Sequence, residues 1–146
     1  MLRNDELLRR WFEEIWNRRD VDAADRLLAP QGTLHETAVG GDGIQTPADF
    51  KAMVRVLLQA IPDIRFNVDA TMQDGEHAAG RVTVTGTHSG PGLGIAPTGR
   101  SFRITGIVMI RVVDGRTVEG WSSFDMLGLF EQLGAVKRPT IGADVA

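Results

Sequence analysis

The chain has 146 residues, of which 42% are hydrophobic and 24% charged, and its formal net charge is −3 at pH 7. This is the size of one globular domain, and the charge gives no broad attraction to nucleic-acid phosphate or to an anionic membrane. Cysteine is absent, which excludes disulfides and thiolate chemistry. The first residues are polar and no stretch approaches the roughly 20 apolar residues of a membrane span, so we expect a cytoplasmic protein that binds neither nucleic acid nor membrane.

The first 30 residues predict a helical hairpin. Asn4 is the predicted N-cap of the first helix, and a second, shorter helix is predicted from about Asp20 or Asp22 until Pro30 stops it. A short strand is expected over residues 33–36, followed by a glycine-rich loop. The apolar face of the first helix is formed by residues at helical spacing: Leu7, Leu8, Trp11, Phe12, Ile15 and Trp16.

The next helix has the clearest start signal in the chain. Thr46 is its predicted N-cap and Pro47 its first residue, because the fixed φ of proline suits the first helical turn. Pro62 ends it. The apolar face between these limits contains Phe50, Met53, Val54, Leu57, Leu58 and Ile61.

From Asp63 onward the hydrophobic period changes to two, which is typical of strands with one buried face. The pattern predicts four strands, over residues 64–73, 77–88, 100–113 and 116–124. Asp-Gly pairs at 74–75 and 114–115 predict tight turns, and residues 89–99 form a wide loop. A last helix is predicted over residues 126–133, with Gly134 at its C-terminal cap.

This order of elements, α-α-β-α-β-β-β-β-α, indicates an α+β fold. We expect one domain over residues 1–135 and a loose tail over 136–146. A twisted antiparallel sheet of this size curves, and helices on its concave side then form a cone whose interior is only partly filled. Such an interior is a natural site for a small molecule.

Several short motifs occur along the chain at caps, turns and core positions. They include Trp-Phe-Glu-Glu-Ile-Trp-Asn at 11–17, Leu-Leu-Ala-Pro at 27–30, Ile-Pro-Asp at 61–63, Gly-Thr-His-Ser-Gly at 86–90, Arg-Val-Val-Asp-Gly-Arg at 111–116 and Gln-Leu-Gly at 132–134. With these motifs the chain resembles the SnoaL-like polyketide cyclases of the nuclear-transport-factor-like superfamily, over about residues 5–134. The resemblance implies a cone-shaped α+β barrel that is usually a homodimer and that needs no metal or organic cofactor. It also implies the closure of a polyketide ring by intramolecular aldol condensation.

The chain departs from this family where the family places its proton-transfer groups. Ser122 stands at the position of the catalytic aspartate, Val108 at that of the helping histidine, and Gly106 at that of a polar partner. Valine and glycine have no ionisable side chain, and the serine hydroxyl does not ionise near neutral pH, so none of the three is suited to proton transfer. We therefore do not transfer the family's catalytic residues to this chain.

Two other residues are candidates for acid/base catalysis. His35 lies in the short strand beside Glu36, which could orient its imidazole; alternatively it is a rim histidine bonded to backbone. Asp125 lies between the last strand and the last helix, where it is either an inward-pointing base or the N-cap of the helix starting at Met126. The residues expected to bind substrate are Trp16, Val108, Trp121 and Ser122. The three histidines are far apart in sequence and share no ligand motif, so no metal site is expected.

Two functions remain open from sequence. The first is a cofactor-independent enzyme that acts by proton transfer on a small apolar carbonyl or polycyclic, polyketide-like substrate, by cyclisation, isomerisation or hydration. Opening of an epoxide is a variant of this function, and it would need Arg111 or Arg81 to point inward. The alternative is a non-catalytic module that binds a small apolar ligand or serves in dimerisation.

Overall fold

A computed structural model describes residues 2–35 and 43–145 of the chain, and its element order confirms the predicted α+β class. The helices are α1 (Asn4–Arg10), continued by a π-helical segment (Trp11–Asn17), then α2 (Ala24–Leu27) after a 3₁₀ turn (Val21–Ala23), α3 (Pro47–Ala60) and α4 (Met126–Gln132). The strands are β1 (Leu28–His35), β2 (Arg65–Asp74), β3 (His77–Thr87), β4 (Ser101–Val113) and β5 (Arg116–Phe124). No helix in the described ranges is long and apolar enough to cross a membrane.

The five strands form one curved, open sheet in the order β1-β5-β4-β3-β2. Strands β2 to β5 are an antiparallel meander, as predicted. The expectation of a purely antiparallel sheet is wrong for β1, which pairs with β5 in parallel. Parallel neighbours need a long connection, and here α3 and three whole strands lie between β1 and β5. The edge strands are therefore β1 and β2.

The two faces of the sheet are best seen in β4, whose even-numbered residues are buried and whose odd-numbered residues are mostly exposed. The buried, concave face contacts the helices and carries Ile104, Val108 and Ile110. The convex face carries Ile107 and Met109, which are 56% and 37% exposed. The core lies between the concave face and the apolar stripe of the first helix, all six predicted residues of which are buried.

Three local predictions in the first 60 residues had different outcomes. The first helix begins at Asn4 with Arg3 as its N-cap, so the predicted cap was one residue late. Strand β1 begins at Leu28, earlier than predicted, and contains Pro30; a bulge between Leu28 and Thr33 and the edge position explain why proline is tolerated there. The cap of α3 is confirmed, since the Thr46 hydroxyl accepts a hydrogen bond from the Asp49 amide at 3.1 Å.

Strand β2 does not keep the predicted alternation along its whole length. A β-bulge at Asp69 shifts the register between Val68 and Ala70. Because an extra residue reverses the facing of every later side chain, Met72 lies on the convex face, opposite Ala79, and is 74% exposed. The period-two alternation in the sequence would place Met72 on the buried face with Phe66, so that pattern is wrong beyond the bulge.

Candidate functional site

A cavity of about 120 Å³ lies between the concave face of the sheet and the helices. One wall is a set of aromatic rings from both layers: the rings of Trp16 and Phe66 are 4.7 Å apart, and that of Phe124 meets Phe66 edge-on at 6.2 Å. Strands β3 and β4 supply an aliphatic wall that includes Val84 and Ile104. The cavity therefore suits an apolar molecule, because apolar ligands gain most from leaving water for such a surface.

The four residues predicted to bind substrate all border this cavity. Val108 and Ser122 are direct partners across β4 and β5, on the concave face. Trp16 enters from the π-helical segment and is 4% exposed. Trp121 also borders the cavity. Its side chain, however, is on the convex face of β5, because Trp121 pairs with Met109.

His35 borders the cavity at the end of the edge strand β1, but its ring lies on the convex side of the sheet, since His35 pairs with Trp121. There it forms a pair that the sequence did not predict. Its Nε2 lies 2.9 Å from Oε2 of Glu119, and its ring stacks on Trp121 with centroids 5.5 Å apart. An ionised carboxylate only accepts hydrogen bonds, so this contact puts the proton on Nε2 and leaves the lone pair on Nδ1. The expected neighbour Glu36 lies outside the described residues. Among the described residues that line the cavity, His35 is the one ionisable side chain.

Glu119 is part of a charged group on the convex face. Its Oε1 lies 3.6 Å from Nε of Arg111, whose guanidinium is 3.9 Å from Glu76. Arg81, on the same face, pairs with Asp69 at 3.1 Å. Both arginines thus point away from the cavity, and the condition for epoxide opening, an inward arginine, is not met.

Asp125 lies at the start of α4, where its carboxylate accepts a hydrogen bond from the Gly128 amide at 2.9 Å. It is also 3.7 Å from the guanidinium of Arg138. This geometry is the helix cap that the sequence offered as the alternative to catalysis. Asp125 is not among the residues that line the cavity, although its neighbours Phe124 and Met126 are.

Within the described ranges, no group of three or more histidine and carboxylate side chains is placed to hold a metal ion. His88 is fully buried at the end of β3, and its Nδ1 accepts a hydrogen bond from the Thr98 amide at 3.2 Å. His77 is on the convex face, where its ring lies 6.4 Å from that of Trp121. His88 is therefore separate from the other two histidines in the fold, whereas His35 and His77 both lie beside Trp121.

The chain is thus an α+β protein whose open, curved sheet encloses an apolar cavity with the helices, and comparison with known proteins gives its family. The model of the family described as SnoaL-like polyketide cyclase matches residues 6–133. The chain therefore belongs to the SnoaL-like polyketide cyclase family, as the sequence motifs indicate.

Solved structures agree with this assignment. The chain is similar to TsrD from Streptomyces laurentii, with a TM-score of 0.80 and 27% identity over 93% of this chain and 100% of that one. It is similar to IdmH from Streptomyces antibioticus, a proposed polyketide cyclase, with a TM-score of 0.76 and 30% identity over 88% and 96% of the two chains. AclR from Streptomyces galilaeus, a proposed hydroxylase, is 28% identical with a TM-score of 0.76 over 93% and 85%. No curated protein sequence matches the chain.

Proposed function

We propose that this protein binds a small, largely apolar, polyketide-like molecule in the cavity and closes a ring in it by proton transfer, without a cofactor. The observation that carries the proposal is the wall of the cavity, which is aromatic and aliphatic, with polar groups from Ser122 and His35. Membership of the family and the similarity to IdmH favour cyclisation over isomerisation or hydration.

An apolar wall cannot move protons, but it can hold a flexible chain in a folded conformation. Ring closure brings two distant atoms of one molecule together, and much of its barrier is the entropy of that encounter. Binding in the correct geometry removes this cost before the reaction, and a dry wall protects the reacting carbonyls from water. Shape is therefore the main contribution that we assign to the cavity.

The remaining contribution is acid/base catalysis by His35. Nδ1 takes a proton from the substrate carbon that lies between two carbonyl groups. The resulting enolate carbon attacks a more distant carbonyl carbon of the same molecule and forms the new C–C bond. The alkoxide then takes the proton back from His35, so no atom is gained or lost in the aldol step. Glu119, bound to Nε2, orients the ring so that Nδ1 is the nitrogen available to the substrate. Because the His35 ring is on the convex side of β1, this step needs the apolar part of the substrate inside the cavity and its carbonyl end around the sheet edge, beside Nδ1.

The test is turnover of a panel of β-polyketones and β-ketoesters, with products identified by mass spectrometry and chiral chromatography. We expect His35→Gln to lower kcat by about 100-fold or more, the usual worth of a general acid/base. Glu119→Gln is expected to lower it less. His77→Gln is the matched control, because His77 is also beside Trp121 but does not line the cavity.

Asp125→Asn separates the two catalytic candidates of the sequence. Asparagine keeps the N-cap of α4, so folding is preserved. If Asp125→Asn loses turnover and His35→Gln keeps it, the proton transfer is assigned to Asp125 and not to His35. Equal turnover in His35→Gln and wild type would refute acid/base catalysis by His35 and leave the shape of the cavity as the whole contribution.

The second candidate function is a ligand carrier without catalysis. The observation that favours it is that the concave positions Val108 and Ser122 face the cavity without a side chain that transfers protons near neutral pH. A carrier would quench tryptophan fluorescence on binding polyketide-like molecules, because three tryptophans border the cavity, but no panel member would be converted.

We also propose that the chain is a homodimer that uses the convex face of the sheet. The strand register places four residues in one row across β2 to β5: Met72, Ala79, Met109 and Trp121. Met72, Met109 and the nearby Ile107 are exposed, and His35 lies at the rim of this surface, at the end of the edge strand β1. Exposed apolar groups on one face are typical of an interaction surface.

A further inference from the structure

The concave face of β4 lines the cavity along most of its length, with one gap. Ile104, Val108 and Ile110 all border the cavity, but Gly106, in the middle of this row, does not. Gly106 is the direct partner of Phe124 in β5. A side chain at position 106 would overlap the Phe124 ring, with its first carbon 2.7 Å from Cε1 and 2.8 Å from Cγ. The ring therefore lies over Gly106 and separates it from the cavity.

The structure around Phe124 holds this ring in place from two sides. Phe66 meets it edge-on, with the ring planes at 84°. Its backbone is held where β5 meets α4, because the next residue, Asp125, donates its amide to the Thr105 carbonyl at 3.1 Å and caps the helix. The ring thus forms a fixed part of the cavity wall.

We propose that Phe124 determines ligand specificity by limiting the size of the cavity. The ring closes the space above Gly106, so that the site accepts an apolar molecule only up to the length that fits beside it. This inference rests on the proposed function of the cavity as a site for apolar ligands. It adds a residue that touches the ligand without taking part in proton transfer.

The substitution Phe124→Ala opens the space above Gly106 to the ligand. Gly106→Ala has the opposite effect, because the added methyl group pushes the ring into the cavity. In the double variant Gly106→Ala/Phe124→Ala there is no ring to push, so it should behave like Phe124→Ala. The effect of Gly106→Ala should therefore disappear when Phe124 is also replaced, which is expected only if the added methyl group acts through the Phe124 ring.

The test is isothermal titration calorimetry with a series of 4-alkylphenols, from ethyl to octyl. Each methylene that the cavity accepts should strengthen binding by about fourfold. In wild type this gain stops at a certain chain length, and we expect that length to increase in Phe124→Ala and to decrease in Gly106→Ala. Phe130→Ala is the matched control, since Phe130 is also half-buried but lies outside the cavity wall.

Each outcome has a defined meaning. If wild type binds no alkylphenol, the proposed function of the cavity fails, whatever Phe124 does. If wild type binds but the limiting length is the same in Phe124→Ala, the inference about Phe124 is overturned. If circular dichroism shows that Phe124→Ala does not fold, Phe124→Leu replaces it, because leucine keeps an apolar side chain but removes the ring. An unchanged limit in that folded variant overturns the inference equally.

Discussion

At the scale of single residues, Asp63 connects the end of α3 to the end of β3. Its two carboxylate oxygens accept hydrogen bonds from the Thr87 amide and hydroxyl at 2.7 and 2.9 Å. Burial opposes ionisation of this carboxyl, but the hydrogen bonds from Thr87 and the nearby charge of Arg19 hold its pKa below the ordinary value. The ionised form is thus the one that the folded protein favours.

A carboxyl with a lowered pKa in the folded state stabilises the protein above the unfolded pKa of about 3.9, and this stability is lost as the pH falls through the folded pKa. We expect Asp63→Asn to lower the free energy of unfolding at pH 7 by about 1 kcal/mol, and by less at pH 3. Denaturant titrations at pH 7, 5 and 3 measure this. Asp144→Asn, in the exposed tail, is the control. An identical pH dependence in wild type and Asp63→Asn would contradict the assignment.

At the scale of elements, the edge strand β2 is covered by side chains of the first helix. The Asn17 amide pairs with Phe66 as a neighbouring strand would: its Nδ2 donates to the Phe66 carbonyl at 2.8 Å, and its Oδ1 accepts from the Phe66 amide at 2.9 Å. Arg9 similarly donates to the Val68 carbonyl at 3.0 Å. Backbone groups at a sheet edge otherwise attract other strands, so this cover protects the protein from edge-to-edge pairing.

Asn17→Ala removes both hydrogen bonds to Phe66 and leaves two partly buried backbone groups without these partners. We expect a loss of about 1–3 kcal/mol in the free energy of unfolding, and faster hydrogen exchange at the Phe66 amide. Asn67→Ala, on the same strand but with its amide bonded only locally to Asp69, should change little. Equal stability of the two variants would show that the edge is not held by Asn17.

Elements with local signals were predictable from the sequence, and pairings across the chain were not. The start of α3 follows from Thr46 and Pro47 and its end from Pro62, and the limits of β5 follow from the Asp114-Gly115 turn and the cap at Asp125. The parallel pairing of β1 depends on an element nearly 90 residues away. The same is true of the site: Trp16, Val108, Trp121 and Ser122 were found from patterns and family motifs, but the contact of His35 with Glu119 spans 84 residues.

At the scale of the whole molecule, the proposed dimer explains why the convex face is not fully polar. Five strands spaced about 4.8 Å apart, with strands about 30 Å long, present roughly 700 Å² on this face. A stable interface buries about 800 Å² per partner, so the sheet face with its rim is large enough. Some of the charges on it are paired within the chain, as in Arg111 with Glu119 and Arg81 with Asp69, which limits the cost of burying them.

A charge in the middle of this face should dissociate the dimer. We expect Met109→Glu to be monomeric by light scattering after size-exclusion chromatography, at concentrations where wild type is dimeric, because two carboxylates would meet across a two-fold axis without partners. Leu127→Glu, at an apolar residue of α4 that is 51% exposed, is the matched control and should stay dimeric. If wild type is monomeric at all concentrations, the dimer proposal is wrong. If both variants remain dimeric, the copies associate through another surface, and the convex face is then free for a different partner.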